Sequence, residues 1–203
     1  MTTCSKIVLA GVVLAAGGAV AAVGELMQHG FSAKDEPSAL EVAIARRVRH
    51  LAVPRAQREA TSPVALSPAV LAHARAHFAD HCAGCHDNDG SGRTPIGRNL
   101  YPKAPDLREP DTQSLSDGEL FYIIHHGIRF TGMPAWGTGK VEEDQDSWAL
   151  VHFIRHLPAV TPAELEQMKR LNPKSPRELE DEQEVRQFLE GAEGEAKPPA
   201  HHH

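Results

Sequence analysis

The chain has 203 residues, a formal net charge of −6 and three cysteines. That length suits one small domain with additional segments, and the mild acidity argues against a nucleic-acid-binding protein, which normally carries a basic patch. Aromatic residues make up 5 % of the chain, which is low for a core filled by aromatic side chains alone. An odd number of cysteines with one closely spaced pair, Cys82 and Cys85, is not the pattern of a disulfide framework.

The N-terminal segment is apolar and uncharged over residues 7–24, with Lys6 before it and Glu25 after it. These 18 residues lie near the lower limit of about 17 for a membrane-spanning helix. The charge asymmetry favours an N-terminus on the inner side and the rest of the chain outside. A cleaved signal peptide, with a cleavage site at Ala19-Val20-Ala21, is the alternative. Both interpretations place the remainder of the chain across the membrane.

A tether with one predicted helix follows the apolar segment. Ser38, with Glu41 three residues later, is the pattern of a capping box. An apolar stripe at helical spacing follows, formed by Leu40, Ile44, Val48 and Leu51. Arg46, Arg47 and Arg49 lie mostly off this stripe. Such a helix can rest on anionic lipid headgroups, or it can pack on its own domain or on a partner; both interpretations stay open.

The central segment is predicted to form a compact helical domain. Its first helix begins at Ser67-Pro68, an N-cap followed by proline at the first helical position, and runs towards Cys82. A Gly- and Pro-rich loop over residues 87–110 follows. Ser116 with Glu119 opens a second helix, and a third begins near Asp146 and ends at Pro158.

The C-terminal segment is highly charged, and Met168 lies within it. Thr161 with Glu164 and Ser175 with Glu178 again indicate helix starts. We expect solvated helices lying on the domain, then a disordered end whose three terminal histidines are a tag or a nonspecific metal-binding tail. The sequence thus divides into four segments: anchor or signal peptide 1–24, tether 25–66, helical domain 67–160 and charged tail 161–203.

The sequence Cys82-Ala83-Gly84-Cys85-His86 is the C-x-x-C-H pattern of c-type haem attachment. Each thiol adds to one vinyl group on the same edge of the macrocycle, and two intervening residues let both sulfurs face that edge. The next residue then places an imidazole under the iron. His86 is therefore the predicted proximal ligand of one covalently bound haem c.

Two other sites could use this cysteine pair. A thioredoxin-like redox pair needs a βαβ context, which the sequence does not indicate. A structural zinc site would need further ligands, and there is no second cysteine pair. Haem attachment after an export signal is the favoured interpretation.

The predicted sixth ligand of the iron is Met133, in a Gly-Met-Pro-Ala-Trp loop. Flanking Gly132 and Pro134 restrict a backbone that can aim the thioether inward. A thioether opposite a histidine raises the reduction potential and fills the coordination sphere, which suits electron transfer. Met133 as an ordinary core residue, or His125 or His126 as the ligand, are the alternatives.

Three aromatic positions and two loops accompany these predicted ligands in the sequence. They are Phe78, Trp148 and Phe153, the loop segments 89–92, 94–97, 101–102 and 104–107, and the methionine loop 131–136. With the C-x-x-C-H motif, this set resembles the class I c-type cytochromes in their membrane-tethered, single-haem bacterial form, over roughly residues 67–160. The resemblance implies an all-α fold in which the first and last helices of the domain cross. Ala74 stands where the family often has glycine at the crossing, which implies slightly wider helix packing.

The resemblance also implies further contacts of the haem. A proline carbonyl within residues 95–105 should accept a hydrogen bond from the second ring nitrogen of His86, which orients the imidazole. Arg98 is a candidate partner of a haem propionate, or else an exposed loop arginine. Tyr101 and Trp136 are candidate contacts of the haem edge.

The expected function is outer-sphere electron transfer on the periplasmic face of a bacterial inner membrane, between redox protein partners and not as an enzyme. The acidic loop Glu142-Glu143-Asp144 can steer a basic partner, or it is simply solvated. A subunit of a larger membrane oxidoreductase complex is a second possibility that suits the anchor and the tail. A haem catalyst or sensor is a third, and it would need an open iron site.

Overall fold

The computed structural model describes residues 3–29, 32–141 and 144–189. Every regular element in these ranges is helical, which confirms the all-α prediction. The helices are α1 Thr3–His29, α2 Ala39–Ala52, α3 Arg55–Arg58, α4 Pro68–His77, α5 Ala83–His86, α6 Pro110–Gln113, α7 Asp117–His126, α8 Gln145–His156, α9 Pro162–Lys169 and α10 Pro176–Leu189.

The first helix, α1, is long and apolar enough to cross a membrane. Its window Ser5–Glu25 has 21 residues and a mean hydropathy of 2.3, and none of it is buried against the rest of the chain. At about 1.5 Å of rise per residue, such a window spans roughly 30 Å, the thickness of a hydrocarbon core. A signal sequence has the same properties, so α1 is consistent with both predictions made for this segment.

The helical domain is built on the crossing of α4 and α8. Ala74 lies fully buried on α4, and the rings of Phe78 and Phe153 meet with their centroids 5.1 Å apart. Both helices present an apolar stripe at the predicted spacing, and burial of these stripes provides the main stabilisation. Ala74, at the position where the family often has glycine, is thus buried at the helix crossing, as the resemblance implied.

Helix α4 reaches the cysteine motif through a single π-helical turn, Phe78–Cys82, and continues as α5. Such turns insert an extra residue into a helix and are frequent at functional sites. Phe78 and Ala79 in this turn are buried. The turn therefore connects the core crossing directly to the cysteine pair.

Helix α7 packs beside α8 and completes the core. The ring of Phe121 stacks on the indole of Trp148 with a centroid separation of 4.2 Å. Arg155 of α8 donates to Asp117 and to the carbonyl oxygens of Gln113 and Leu115, which ties α8 to the turn before α7. The capping box of Ser116 and Glu119 is present as predicted.

Helix α9 belongs to the packed domain. Met168 was placed by the sequence in a polar tail, but its side chain is fully buried in the hydrophobic core. The Glu164 carboxylate lies 3.0 Å from Arg75 of α4 and 3.0 Å from His156. One acidic residue of this charged segment, Glu164, therefore holds α9 on the domain. Helix α10, in contrast, is exposed along its described length.

Helix α2 contacts the domain with its polar side chains. His50 Nδ1 lies 2.9 Å from Glu119, Arg46 pairs with Asp111, and the Tyr101 hydroxyl donates to Glu41 over 2.9 Å. The predicted apolar stripe, Leu40, Ile44, Val48 and Leu51, is more than half exposed at each position. The helix therefore packs on its own domain, one of the two open interpretations, and leaves its apolar side uncovered.

Candidate functional site

Cys82, Cys85 and His86 lie together at the end of the α4–α5 helix. The two thiols are free and half-buried. Burial, reinforced by the neighbouring Cys85, raises the pKa of the Cys82 thiol to about 12. A thiol that stays protonated is a poor nucleophile for thiol–disulfide exchange. Neither cysteine joins a group of three metal-ligating side chains in the part of the chain that the structure describes, so both alternatives to haem attachment lack support.

One ring nitrogen of His86, Nδ1, is buried without a hydrogen-bond partner among the residues that the structure describes. Burial lowers the pKa of His86, and the backbone carbonyl of Pro105 opposes this shift. Pro105 is thus the proline beside the imidazole, within the range that the resemblance implied. With Nδ1 directed inward, Nε2 is the nitrogen left for a metal.

The loop after His86 closes back onto the motif through backbone contacts. The amide of Gly92 donates to the His86 carbonyl over 2.8 Å, and Thr94 Oγ1 donates to the Cys85 carbonyl over 3.2 Å. The amide of Gly97 then donates to Thr94 Oγ1 over 2.8 Å. These bonds satisfy carbonyls at the end of α5 that have no partner within the helix.

Two glycines permit this close approach. A Cβ on Gly97 would overlap the carbonyl oxygens of Cys85 and Gly92, and Gly92 has a positive φ of 69°. The obstacles are backbone atoms, which cannot move aside as the end of a flexible side chain can. The sequence indicated a Gly-rich loop here, but not which glycine the fold requires.

Charged side chains hold the far part of the same loop. Arg108 donates to Asp106 over 2.8 Å and to Asp89 over 2.9 Å. Its hydrogen bonds are the main cause that lowers the pKa of Asp106. The loop carrying Pro105 is therefore braced on both sides, by glycine contacts near the cysteines and by this ion-pair cluster.

The methionine loop is attached to the end of α7. The amide of Ile128 donates to the Met133 carbonyl over 3.1 Å, and the Met133 amide donates to Thr131 Oγ1 over 3.1 Å. Farther along, the amide of Trp136 donates to the Ile124 carbonyl over 3.0 Å. Met133 is half-buried in this loop. Hydrogen bonds to Thr131 and Ile128 thus restrain the backbone of Met133 on both its amide and its carbonyl side.

The methionine loop also touches the loop that follows the cysteines. A Cβ on Gly132 would come within 2.6–2.8 Å of the two methyl groups of Leu100. Leu100 follows the short 3-10 turn Gly97–Asn99. The two loops that carry the predicted ligands therefore meet directly, through a residue that the sequence analysis did not single out.

The two competing histidines differ in environment. His125 is buried, and its Nδ1 lies 2.6 Å from Oδ2 of Asp144. Asp144 also caps α8 by accepting from the Ser147 amide. Asp144 is therefore a buried structural group, which contradicts its predicted place in an exposed acidic loop; Glu142 and Glu143 lie outside the described residues. His126 is exposed at the end of α7.

Arg98, Tyr101 and Trp136, the other predicted haem contacts, have different surroundings. Arg98 is exposed on the 3-10 turn, with no carboxylate partner among the residues described. The Tyr101 hydroxyl is engaged with Glu41. Trp136 is half-buried against the core and stacks on His81, with centroids 5.4 Å apart. Their contacts with a haem stay predictions.

These groups fit a c-type haem. Two free thiols sit on one helix end, the following imidazole has a buried Nδ1 beside a carbonyl, and a methionine sits in a restrained loop that contacts the loop below the motif. Cys82, Cys85 and His86 would hold the group on one side. A haem there would supply an iron that exchanges single electrons.

Comparison with known proteins agrees with this arrangement. Residues 69–154 match the family model described as "Cytochrome C oxidase, cbb3-type, subunit III". A comparison of the chain with curated proteins finds no match. The matched segment begins on α4, contains the cysteine motif and the methionine loop, and ends on α8. This part of the chain is a class I c-type cytochrome domain, whose work is haem-based electron transfer.

Proposed function

We propose that this chain is a membrane-anchored electron carrier with one haem c, attached through Cys82 and Cys85 and ligated by His86 and Met133. The observation that carries the proposal is His86, which directly follows the cysteine pair and has a buried Nδ1 beside the Pro105 carbonyl. A hydrogen bond from Nδ1 to this carbonyl would hold the imidazole and present the other nitrogen in a defined orientation. The family match over residues 69–154 supports the same cofactor.

We propose Met133 as the sixth ligand because its surroundings suit ligation better than those of the other candidate side chains. Its loop is hydrogen-bonded on both sides and meets the loop below the cysteine motif at Leu100. His125 is instead enclosed in the core, where its ring stacks on Phe121 and its Nδ1 lies against Asp144. The other described methionines are Met27, exposed at the end of α1, and Met168, buried under α9. Neither suits ligation.

In outer-sphere electron transfer the residues of the chain would bind the iron, keep water away from it and contact the redox partner. His86 and Met133 would hold the iron in both its ferrous and its ferric form, and the hydrogen-bonded methionine loop would limit reorganisation of the protein. Leu107 and Leu120 are buried in the same apolar core as Ala83 of the cysteine motif, and water is excluded from this core. A redox partner would then bind on the side of the domain where residues of the methionine loop are exposed, through weak and transient contacts.

The membrane role rests on α1. We propose that α1 stays in the inner membrane and holds the haem domain on the periplasmic side. Lys6, directly before the uncharged segment 7–24, supports this orientation. Helix α2 begins at Ala39, 10 positions after His29, the last residue of α1. Its exposed apolar stripe is consistent with a domain held close to the bilayer.

Optical spectra of the full-length chain, produced with haem-maturation enzymes and purified in detergent, test the ligands. We expect a covalent c-type spectrum that does not respond to carbon monoxide in the reduced wild-type protein. Met133→Ala should open the site and bind carbon monoxide, whereas Met27→Ala, a matched control, should behave as wild type. If Met133→Ala leaves the spectrum unchanged, Met133 is not the sixth ligand. If the reduced wild-type protein binds carbon monoxide, a haem catalyst or sensor is favoured over an electron carrier.

A second candidate function is a subunit of a membrane oxidase. The description of the matched family names such a subunit, and the anchor and α10 offer surfaces for assembly. Purification of the chain from its native membranes under mild detergent separates the two roles. Co-purification of further haem proteins in fixed proportion supports the complex, and recovery of the chain alone supports a free carrier.

A further inference from the structure

A cluster of three metal-ligating side chains lies outside the haem site, where α4 meets the start of α8. It consists of His73, His77 and Asp146, and the atoms available for ligation all lie within 4.8 Å of one another. His73 Nε2 and Asp146 Oδ1 are 3.1 Å apart. Asp146 lies 73 positions along the chain from His73, so only the folded structure brings the carboxylate to the two histidines.

The spacing of the two histidines suits chelation. Residues four apart on a helix lie on the same face, and two histidines at this spacing form half of a zinc site in several helical metalloproteins. Asp146 is in the first turn of α8, which approaches α4 at this end of the crossing. Three ligands thus come from two helices, and the buried crossing at Ala74 and Phe153 fixes the helices relative to each other.

The donor set indicates the class of metal. Two imidazoles and one carboxylate are ligands that Zn²⁺ accepts in tetrahedral sites, with a water in the fourth position. His73 and Asp146 have side chains that are 62 % and 65 % exposed, so an ion from solution can reach them. Mg²⁺ and Ca²⁺, in contrast, prefer sites made of oxygen ligands.

We propose that His73, His77 and Asp146 bind one Zn²⁺-class divalent ion that links α4 to the start of α8. The ion would bridge the two helices whose crossing supports the cysteine motif. His81 continues the row of histidines, with its ring 4.8 Å from that of His77, and stacks on Trp136 of the methionine loop. The bridge therefore lies at one end of a contiguous row of side chains that reaches this loop.

The test uses the full-length holoprotein in detergent, with the three terminal histidines replaced by alanine so that the tail does not compete. Zn²⁺ binding is measured by calorimetry and by equilibrium dialysis. We expect one ion per chain and a higher thermal midpoint when Zn²⁺ is present. Loss of an outer-shell partner alone costs about 10- to 100-fold in metal affinity, so His77→Ala and Asp146→Asn should each lose at least that much.

Two controls isolate the cluster. Asp80→Asn removes an exposed carboxylate that pairs with His81 outside the cluster, and His50→Ala removes an imidazole on α2. Both should bind Zn²⁺ as the parent protein does. An unchanged haem spectrum shows that each variant is folded; if His77→Ala does not fold, Asp146→Asn decides. Equal affinity in parent and cluster variants, or no bound ion in the parent, would overturn the proposal.

Discussion

Nδ1 of His125 lies 2.6 Å from Oδ2 of Asp144, and both side chains are buried. The same carboxylate accepts from the amide and the hydroxyl of Ser147 at the start of α8. Burial raises the pKa of Asp144, but the hydrogen bonds from Ser147 and His125 outweigh it, and the pKa lies below its usual value. One contact thus joins the end of α7, from which the methionine loop leaves, to the start of α8.

Loss of the Asp144 carboxylate should destabilise the protein without changing the haem ligands. Asp144→Asn weakens a buried, charge-assisted network, and we expect a cost of about 1–3 kcal/mol. The thermal midpoint of the holoprotein, followed by circular dichroism, measures this. Asp181→Asn on the exposed α10 is the control and should change little. A changed iron spectrum in Asp144→Asn, with an unchanged midpoint, would contradict this role.

Gly97→Ala should prevent proper closure of the loop below the cysteine motif. The added methyl would overlap the backbone carbonyls of Cys85 and Gly92, and neither can move without disturbing the segment that follows His86. We expect a sharply lower ratio of haem absorbance to protein, and a lower thermal midpoint in any holoprotein recovered. Gly84→Ala is matched to it, because a Cβ there meets nothing within 4 Å. Equal haem content in the two variants would refute the packing argument.

Met168→Ala tests whether α9 is part of the folded domain. A fully buried methionine leaves a cavity when truncated, which costs about 2–5 kcal/mol. Leu171→Ala removes a side chain that is 46 % exposed and should cost much less. The thermal midpoints of the two variants are to be compared with that of wild type. Equal, small effects would mean that the α9 segment does not contribute to the core.

The Glu164 carboxylate gives the protein a pH-dependent contact between α9 and His156 of α8. Burial raises its pKa, but hydrogen bonds from Thr161 and His156 lower it more, from 4.5 to about 2. Because the pKa is lower in the folded state, the stabilisation is complete above pH 4.5 and is lost as the pH falls towards 2. The contribution at neutral pH is of the order of a few kcal/mol.

Glu164→Gln should therefore lower the thermal midpoint at pH 7, and its difference from wild type should shrink as the pH falls below 4.5. The comparison is made between variant and wild type at each pH, so that any effect on the haem ligands is common to both. Glu166→Gln, in an exposed pair with Lys169, serves as the control. A difference that is constant with pH would exclude the proposed ionisation.

Local sequence was sufficient to predict the helices and to recognise the cysteine motif. Ser38 with Glu41, Ser116 with Glu119 and Thr161 with Glu164 each form the predicted capping box. The apolar α1 and the C-x-x-C-H pattern are likewise contained in short stretches of chain. Caps, helical stripes and attachment spacing depend on residues at most a few positions apart, so the amino-acid sequence alone determines them.

The tertiary structure alone decided the contacts between distant residues. Only packing shows that Pro105 lies beside His86, and that Asp144 is buried on His125 and not exposed to partners. Met168 was expected to be exposed because its neighbours in sequence are charged. In the structure Glu164 pairs with Arg75 and His156, Glu166 pairs with Lys169 on the surface, and the Met168 thioether is buried in the core. Which side of a charged helix is buried depends on the surface it meets, and that surface comes from other parts of the chain.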